Sequence, residues 1–249
     1  MGDALVQRLR AAGCVFAEQE AALLRGSASG PDLEALVARR VAGTPLEHLL
    51  GWVEWGGRRL AVAPGVFVPR RRTVLLATLA AQTLAPGGIL VELCCGAAPV
   101  AATVAGEAYA CDLDPAAVAC ARRNLPAGRA FAGDLYDALP SRLRGRVDVL
   151  VANAPYVPTS EVALMPREAR LYESRLALDG GADGMDVQRR VIAGAAPWLS
   201  PAGVLVIETS RAQAAAGLAA LRAAGFAGRV VRDDGLAATA LVAATRQRR

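Results

Sequence analysis

The chain has 249 residues, 54% of them apolar and 4% aromatic, which suffices for a substantial buried core and excludes a disordered protein. Its 28 basic residues are all arginine and, against 23 acidic residues, give a net charge of +5. This charge leaves open an affinity for acidic partners such as RNA. No apolar run is long enough to span a bilayer and no secretory signal opens the chain, so we expect a soluble, cytoplasmic protein without a membrane partner.

Helical periodicity dominates residues 1–50. Leu33, Leu36 and Val37, for example, share one helical face. Residues 26–30 read Gly-Ser-Ala-Ser-Gly, so we expect a flexible joint there, with the next helix beginning near Asp32. The single histidine, His48, falls in an apolar helical stretch, and this position favours a packing role over catalysis.

A β-hairpin is predicted after these helices. Gly56 and Gly57 separate two β-compatible runs, which is typical of a two-residue hairpin turn. We expect Trp52 and Trp55 to anchor this hairpin rather than to bind a ligand. Prolines at positions 64 and 69 then interrupt regular structure, which predicts a linker before a helix that starts near Thr73.

From about residue 87 the pattern changes to short apolar runs that alternate with alanine-rich amphipathic stretches. This alternation predicts a mainly parallel sheet covered by helices on both faces. One helix is predicted over residues 115–124, with Asp114 as its N-cap and Pro115 at its first position. The predicted strands are 89–93, 108–111, 147–152 and 204–207, followed by an antiparallel edge hairpin of 230–232 and 241–243.

Two strand ends in this region carry acids. Glu92 precedes a loop of small residues, which would let a nucleotide-like ligand approach the backbone and the start of the next helix. With one glycine in this loop, an ordinary strand–helix turn remains an alternative. Asp112 ends the next strand about 20 residues later, where an acid can bind both ribose hydroxyls of a nucleoside. Together the two acids predict a ribose-containing cofactor.

A third strand end carries an amide. The strand at 147–152 is followed by Asn153, Ala154, Pro155 and Tyr156, and Pro155 holds the residue before it in an extended conformation. The Asn153 side-chain oxygen and a fixed backbone carbonyl could accept both hydrogens of an NH₂ group, on which Tyr156 could stack. A strand-end turn with a capping asparagine is the alternative interpretation.

Together these strand ends resemble those of class I S-adenosylmethionine-dependent methyltransferases. More narrowly, the chain resembles, over nearly its whole length, the HemK-like protein-(glutamine-N5) methyltransferases that modify peptide chain release factors. Residues 153–156 resemble the Asn-Pro-Pro-Tyr signature of enzymes that methylate planar nitrogens, and residues 69–73 resemble a Pro-Arg-Pro-Glu-Thr element. Residues 42–46 and 50–51 resemble the family's segment before its hairpin. Glu173 and residues 178–184 resemble the family's stretch after the Asn-Pro-Pro-Tyr signature.

The resemblance implies a fold and a division of the chain. The fold is Rossmann-like α/β, with a mainly parallel seven-stranded sheet, a small helical N-terminal domain and a β-hairpin linker. The division is a substrate-recognition domain at 1–50, the linker at 51–68 and a methyltransferase domain at 69–249. The implied cofactor is S-adenosyl-L-methionine, the implied partner is a protein substrate such as a release factor, and no metal is implied.

The resemblance also implies roles for individual residues. The loop from Glu92 to Ala98 would hold the methionine part of the cofactor, with Asp112 at its ribose. Asp134 would meet the adenine amine beside Leu135. Asn153 and the backbone of Ala154 would hold the substrate amide. The full implied sets are Asn153, Ala154, Pro155 and Tyr156 for catalysis; Glu92, Cys94, Cys95, Gly96, Ala98, Asp112, Leu113, Asp134, Leu135 and Asn153 for the cofactor; and Phe67, Pro69, Arg70 and Tyr156 for the substrate pocket.

Several positions depart from the family pattern. Cys94 and Ala98 stand where the family has glycine, and their Cβ atoms are expected to crowd the cofactor. Residues 71–72 are arginines where the family has Pro-Glu, and Ala154 replaces the first proline of the signature. These changes indicate a divergent paralogue, whose substrate could differ from a release factor.

Two other functions remain open at this point. Methylation of an exocyclic base amine in nucleic acid would use the same Asn-x-Pro-Tyr chemistry on a flipped base. The dispersed arginines and the lack of a recognisable nucleic-acid module count against it. A cofactor-binding protein without turnover is the other alternative, because of Cys94 and Ala98. The five cysteines form no CxxC pair, so a structural zinc site is not expected.

Overall fold

A computed structural model describes residues 3–245 and begins with a bundle of four helices. The bundle has its own apolar core, which includes Leu9, Leu24 and Val37. The expected joint is shorter than predicted, because helix extends through Ser27 and resumes at Gly30 rather than near Asp32. The helices are α1 (Ala4–Ala11), α2 (Ala17–Ser27), α3 (Gly30–Val41) and α4 (Leu46–Leu50).

The predicted hairpin follows as β1 (Trp52–Trp55) and β2 (Arg58–Ala61), which pair antiparallel around Gly56 and Gly57. Both glycines have positive φ, as the tight turn requires. His48 has the packing role predicted for it: it is buried, and its Nε2 lies 2.8 Å from the Val66 carbonyl oxygen.

Residues 74–245 build a seven-stranded sheet with helices on both faces. The predicted strand bounds 89–93 and 147–152 are confirmed, as is the helix over Pro115–Asn124 with Asp114 as its N-cap. The helices are α5 (Val74–Thr83), α6 (Pro115–Asn124), α7 (Arg167–Tyr172), α8 (Asp186–Gly194) and α9 (Ala214–Ala223). The strands are β3 (Ile89–Leu93), β4 (Glu107–Asp112), β5 (Ala130–Ala132), β6 (Val147–Ala152), β7 (Leu199–Glu208), β8 (Phe226–Asp233) and β9 (Ala238–Thr245).

The strand order across the sheet is β5-β4-β3-β6-β7-β9-β8. The first five of these strands run parallel, and the predicted antiparallel hairpin of β8 and β9 completes one edge through β9. The chain moves outward from β3 to β5 and then returns to add β6 on the other side of β3. This reversal creates a crevice between the carboxyl ends of β3 and β6, where open α/β sheets bind ligands.

Pairing register brings the three predicted strand ends together. Leu93 pairs with Cys111 on β4 and with Ala152 on β6. Asp112, the last residue of β4, and Asn153, which follows β6, therefore lie on either side of β3 at the same end of the sheet. None of the helices within residues 3–245 combines the length and apolar character needed to cross a lipid bilayer.

Candidate active site

A cavity of about 400 Å³ opens at the carboxyl ends of β3, β4 and β6. This volume is within the range of small-molecule and cofactor sites. Most residues predicted for the site lie in its wall, whereas Ala98 and Arg70 do not. The predicted residues in the wall are Phe67, Pro69, Glu92, Cys94, Cys95, Gly96, Asp112, Leu113, Asp134, Leu135, Asn153, Ala154, Pro155 and Tyr156.

The loop after β3 has a left-handed backbone at each of its family glycine positions. Gly96 has φ +53°, and Cys94 and Ala98 have φ +51° and +57°. A Cβ atom makes this conformation costly, by roughly 1–2 kcal/mol per residue. Cys94 lines the cavity, whereas Ala98 is fully buried in the core behind it. The two side chains therefore strain the loop, but only that of Cys94 faces the cavity.

Glu92 is buried at the end of β3 and shapes the same loop. Its carboxylate accepts a hydrogen bond of 2.7 Å from the backbone N–H of Ala101. Burial raises the pKa of Glu92 to about 8, although this hydrogen bond favours the charged form. Glu92 thereby connects the strand to the turn at residues 99–103, which stands where the sequence predicts the start of a helix.

Asp112 ends β4 and contacts the same loop from the other side. One carboxylate oxygen accepts from the Gly96 backbone N–H at 2.8 Å, and the other accepts from the Asp114 N–H at 2.9 Å. Burial raises the pKa of Asp112. Because each carboxylate oxygen can accept more than one hydrogen bond, Asp112 retains capacity for hydroxyl donors in the cavity.

Asp134 and Leu135 form a further part of the wall. Asp134 makes a 2.7 Å ion pair with Arg190 of α8, and both side chains are partly exposed. Leu135 is buried with φ +48°, and its backbone oxygen accepts from the Cys111 thiol at 3.3 Å. The ion pair with Arg190 was not predicted from the sequence.

Asn153 follows β6 directly, next to the fully buried Ala154. The side-chain Nδ2 of Asn153 donates to the Thr73 hydroxyl at 3.3 Å, so its carbonyl oxygen Oδ1 is the end that remains able to accept. Tyr156 contributes its ring to the cavity wall, and its hydroxyl donates to Glu208 at 3.2 Å. Burial raises the pKa of Tyr156.

Glu208 is a buried acid at the end of β7 that the sequence analysis did not single out. It accepts hydrogen bonds from Arg72 Nε at 2.9 Å and from the Thr73 hydroxyl at 2.7 Å, besides that from Tyr156. The signal that would have found it is the one that identified Glu92 and Asp112, an acid at the carboxyl end of a predicted parallel strand.

Arg70 stands behind the cavity wall and positions its neighbours. Its Nη2 donates to both carboxylate oxygens of the buried Glu173, at 2.6 and 2.7 Å. Glu173 also accepts from the Val68 N–H at 3.2 Å, and the Arg70 guanidinium lies 4.8 Å from the centre of the Phe67 ring. These contacts fix the backbone that carries Phe67 and Pro69 into the wall.

No cluster of three or more His, Cys, Asp or Glu side chains that could hold a metal ion is found within residues 3–245. Burial raises the pKa values of the Cys94 and Cys95 thiols well above their usual range, so neither is an activated nucleophile. The polar groups of the site are carboxylates and carbonyl oxygens, which can accept hydrogen bonds from hydroxyl and NH₂ groups.

No family model matches the chain, but individual relatives do. It is 38% identical over 223 residues to a release factor glutamine methyltransferase of Deinococcus radiodurans, with 85% of this chain and 80% of that relative covered. It is 35% identical over 233 residues to a protein of the same name from Streptomyces coelicolor, with 83% of each chain covered.

The fold also has solved counterparts. The crystal structure of a methyltransferase from Pyrococcus furiosus matches with a TM-score of 0.56 at 15% identity, over 84% of this chain and 96% of that one. This likeness confirms the predicted Rossmann-like fold with its mainly parallel seven-stranded sheet.

Proposed function

This chain belongs to the release factor glutamine methyltransferase family, and we propose that it transfers a methyl group from S-adenosyl-L-methionine to the side-chain amide nitrogen of a glutamine in a peptide chain release factor. The observation that carries the proposal is the orientation of Asn153 at the mouth of the crevice. Its Nδ2 is engaged by Thr73, which leaves Oδ1 to accept a hydrogen from a substrate NH₂ group.

The cavity residues fit the cofactor. Asp112 offers acceptor capacity for the two ribose hydroxyls, and the Glu92–Gly96 loop presents backbone beside the cavity for the methionine part. Leu135 supplies an apolar surface for the adenine ring, with Asp134 beside it as an acceptor for the adenine amine. An added Cβ at Gly96 would meet only the Phe67 oxygen, at 3.8 Å, so the loop leaves room for a ligand there.

S-adenosyl-L-methionine would supply a methyl group on a sulfonium centre. The amide nitrogen would take up this methyl group as its bond to sulfur breaks, and one N–H proton would leave to solvent. An amide nitrogen is a weak nucleophile because its lone pair is delocalised. Asn153 Oδ1 and the Ala154 carbonyl would accept both N–H hydrogens, which fixes the amide plane and draws electron density onto nitrogen. Holding the two reactants in line supplies a further large part of the rate enhancement.

The helices of residues 1–50 are proposed to recognise the protein substrate. Arg40 of α3 pairs with the buried Glu20 at 2.6 Å and reaches Glu168 of α7 at 3.1 Å. The cavity is lined on either side of α7, by Met165 before it and Ser174 after it. A protein bound to the helices would therefore lie next to the mouth of the cavity. Since release factors act on ribosomes, we also propose a cytoplasmic location.

The test is methylation of a purified release factor with labelled cofactor, followed by mass spectrometry of its peptides. We expect label on one glutamine side chain and no label on a release factor in which that glutamine is replaced by glutamate. A parallel incubation with cell lysate, treated with protease or nuclease, distinguishes the nucleic-acid alternative. Nuclease-sensitive label, or no label on the release factor, would contradict the proposal.

A further inference from the structure

We propose that Glu208 is a positioning residue that sets which end of the Asn153 amide faces the substrate, and that it acts through the Thr73 hydroxyl. The inference rests on the proposed role of Asn153 as a hydrogen-bond acceptor. An asparagine amide carries a donor end and an acceptor end of nearly the same shape. Only the acceptor end suits a substrate NH₂ group, so the orientation must be fixed by other groups.

Glu208 determines where the Thr73 proton goes. The Glu208 side chain is 1% exposed and, as a carboxylate, can only accept hydrogen bonds. Thr73 is also buried, and its hydroxyl lies 2.7 Å from Glu208 Oε2. A hydroxyl has a single proton, so a Thr73 that donates to Glu208 has none left to donate elsewhere.

The Thr73 oxygen can therefore only accept from Asn153. The structure has Asn153 Nδ2 in this donating position, 3.3 Å from Thr73 Oγ1. The opposite orientation would turn Oδ1 towards an oxygen that has no proton to offer it. We call this ordered chain of hydrogen bonds from Asn153 through Thr73 to Glu208 the acceptor relay. It leaves Oδ1 as the end available to the substrate.

Two further donors keep Glu208 an acceptor. Arg72 Nε donates to Oε1 at 2.9 Å and compensates the buried negative charge. The Tyr156 hydroxyl donates to the same oxygen at 3.2 Å, so Glu208 also holds the Tyr156 ring in the cavity wall. Arg72 stands where the family resemblance places an acid.

Glu208→Gln tests the relay with almost no change in shape. A glutamine amide can donate to the Thr73 oxygen, which frees the Thr73 proton to bond Asn153 Oδ1 and permits the reversed orientation. We expect kcat for release factor methylation to fall by about 10–100-fold, a smaller loss than that from removing Asn153 itself. The affinity for S-adenosylhomocysteine should stay at its wild-type value, because the relay lies on the substrate side of the cavity.

Thr73→Val removes the same relay at its centre and provides a second, independent variant. It should lower kcat similarly, and the double variant Glu208→Gln/Thr73→Val should be no slower than Thr73→Val alone, since both changes break one chain. Thr73→Ser retains the hydroxyl and Glu208→Asp retains the carboxylate, so each should restore part of the lost rate. Additive losses in the double variant would overturn the relay.

Asp148→Asn is the matched control. Asp148 lies at the opposite end of β6 from Asn153, and its carboxylate accepts from the Ile89 N–H at 2.9 Å and from the Ser200 hydroxyl at 2.8 Å. The Asp148→Asn variant thus weakens a similar contact between an acid and a hydroxyl, at a place far from the cavity. Its kcat should equal that of the wild type, and an equal loss of kcat in Asp148→Asn would overturn the specific role of Glu208.

A readout on the free enzyme separates this inference from the proposed function. The side-chain NH₂ protons of Asn153, identified in NMR spectra by their loss in Asn153→Ala, should exchange slowly in the wild type and faster in Glu208→Gln. Equal exchange in the two proteins would overturn the relay whatever the substrate is. A wild-type enzyme that fails to methylate a release factor would instead overturn the proposed function.

Discussion

The carboxylate of Asp112 accepts a hydrogen bond from the backbone N–H of Gly96, at 2.8 Å, and so connects the end of β4 to the loop that leaves β3. The same carboxylate is proposed to bind the cofactor ribose. One side chain therefore both shapes the loop and offers acceptors to the ligand, and its loss should affect binding through both.

Asp112→Ala should weaken binding of S-adenosylhomocysteine by about 1–3 kcal/mol, because charge-assisted hydrogen bonds to the ribose are lost. Isothermal titration calorimetry measures this directly. Asp148→Ala is the matched control, since it removes a hydrogen-bonded carboxylate at the opposite end of β6 from the site, outside the cavity wall. The control should bind the ligand as the wild type does, and an unchanged affinity in Asp112→Ala would contradict the ribose assignment.

Cys94→Gly and Ala98→Gly should each change stability by less than about 1 kcal/mol, because opposing effects of similar size meet at both positions. Removing a Cβ from a left-handed position gains roughly 1–2 kcal/mol, and the added chain entropy of glycine in the unfolded state costs roughly 0.5–1 kcal/mol. The lost burial of each side chain, about 0.8 kcal/mol for the Ala98 methyl group and at least as much for the partly buried Cys94, offsets the rest. Urea unfolding of the two variants without cofactor checks this balance, and a large change of stability in either variant would contradict it.

Cys94→Gly and Ala98→Gly also distinguish backbone strain in the loop from crowding of the cofactor by a side chain. Cys94 lines the cavity and Ala98 does not. If the Cys94 side chain crowds the ligand, Cys94→Gly tightens S-adenosylhomocysteine binding while Ala98→Gly leaves it unchanged. Weaker binding in Cys94→Gly would show that the loop has adapted to its side chain.

Glu92 should make stability depend on pH. Its pKa is raised by burial from 4.5 to about 8, so between these values the folded state holds a proton that the unfolded chain has lost. The free energy of unfolding should therefore fall as pH rises through this window, by at most about 1.4 kcal/mol per pH unit from this group. Urea unfolding of wild type and Glu92→Gln, across the window and without cofactor, measures the difference. Parallel curves would contradict the assignment.

The division of labour between the helices and the sheet is tested by a chain that begins at Gly51. This cut retains the hairpin, whose Val53, Trp55 and Leu60 pack in one cluster with Ala117 and Cys120 of α6. We expect it to bind S-adenosylhomocysteine as the full chain does, which also reports that it is folded, and to lose methylation of an intact release factor. Full activity on the intact protein would refute the division.

Periodicity in the sequence predicts the strands beside the site because they are continuous buried runs. β3 and β6 have the predicted bounds. β5 was missed because it has three residues, Ala130–Ala132, without a β-branched side chain. β7 was predicted as 204–207 but begins earlier, at Leu199, where Pro201 and Gly203 would ordinarily argue against a strand.

The site was predictable only where it follows strand ends. Asp112 and Asn153 come at the ends of buried runs, so the sequence predicts that both lie at the carboxyl ends of parallel strands. The contact between Thr73 and Glu208 joins residues 135 positions apart. The contact between Arg190 and Asp134 joins helix α8 to the loop after β5. Such contacts are set by the packing of the whole fold, which local periodicity does not encode.

The measurement that tests the central claim most directly is single-turnover methyl transfer by Asn153→Ala, beside calorimetric binding of S-adenosylhomocysteine. Removing Oδ1 leaves a substrate N–H without its partner in the transition state, so the transfer rate should fall by about 10²–10³. Cofactor affinity should change far less, because this oxygen is proposed to face the substrate nitrogen. Transfer that survives within a few-fold of the wild-type rate would contradict the mechanism and leave Asn153 as a strand-end cap.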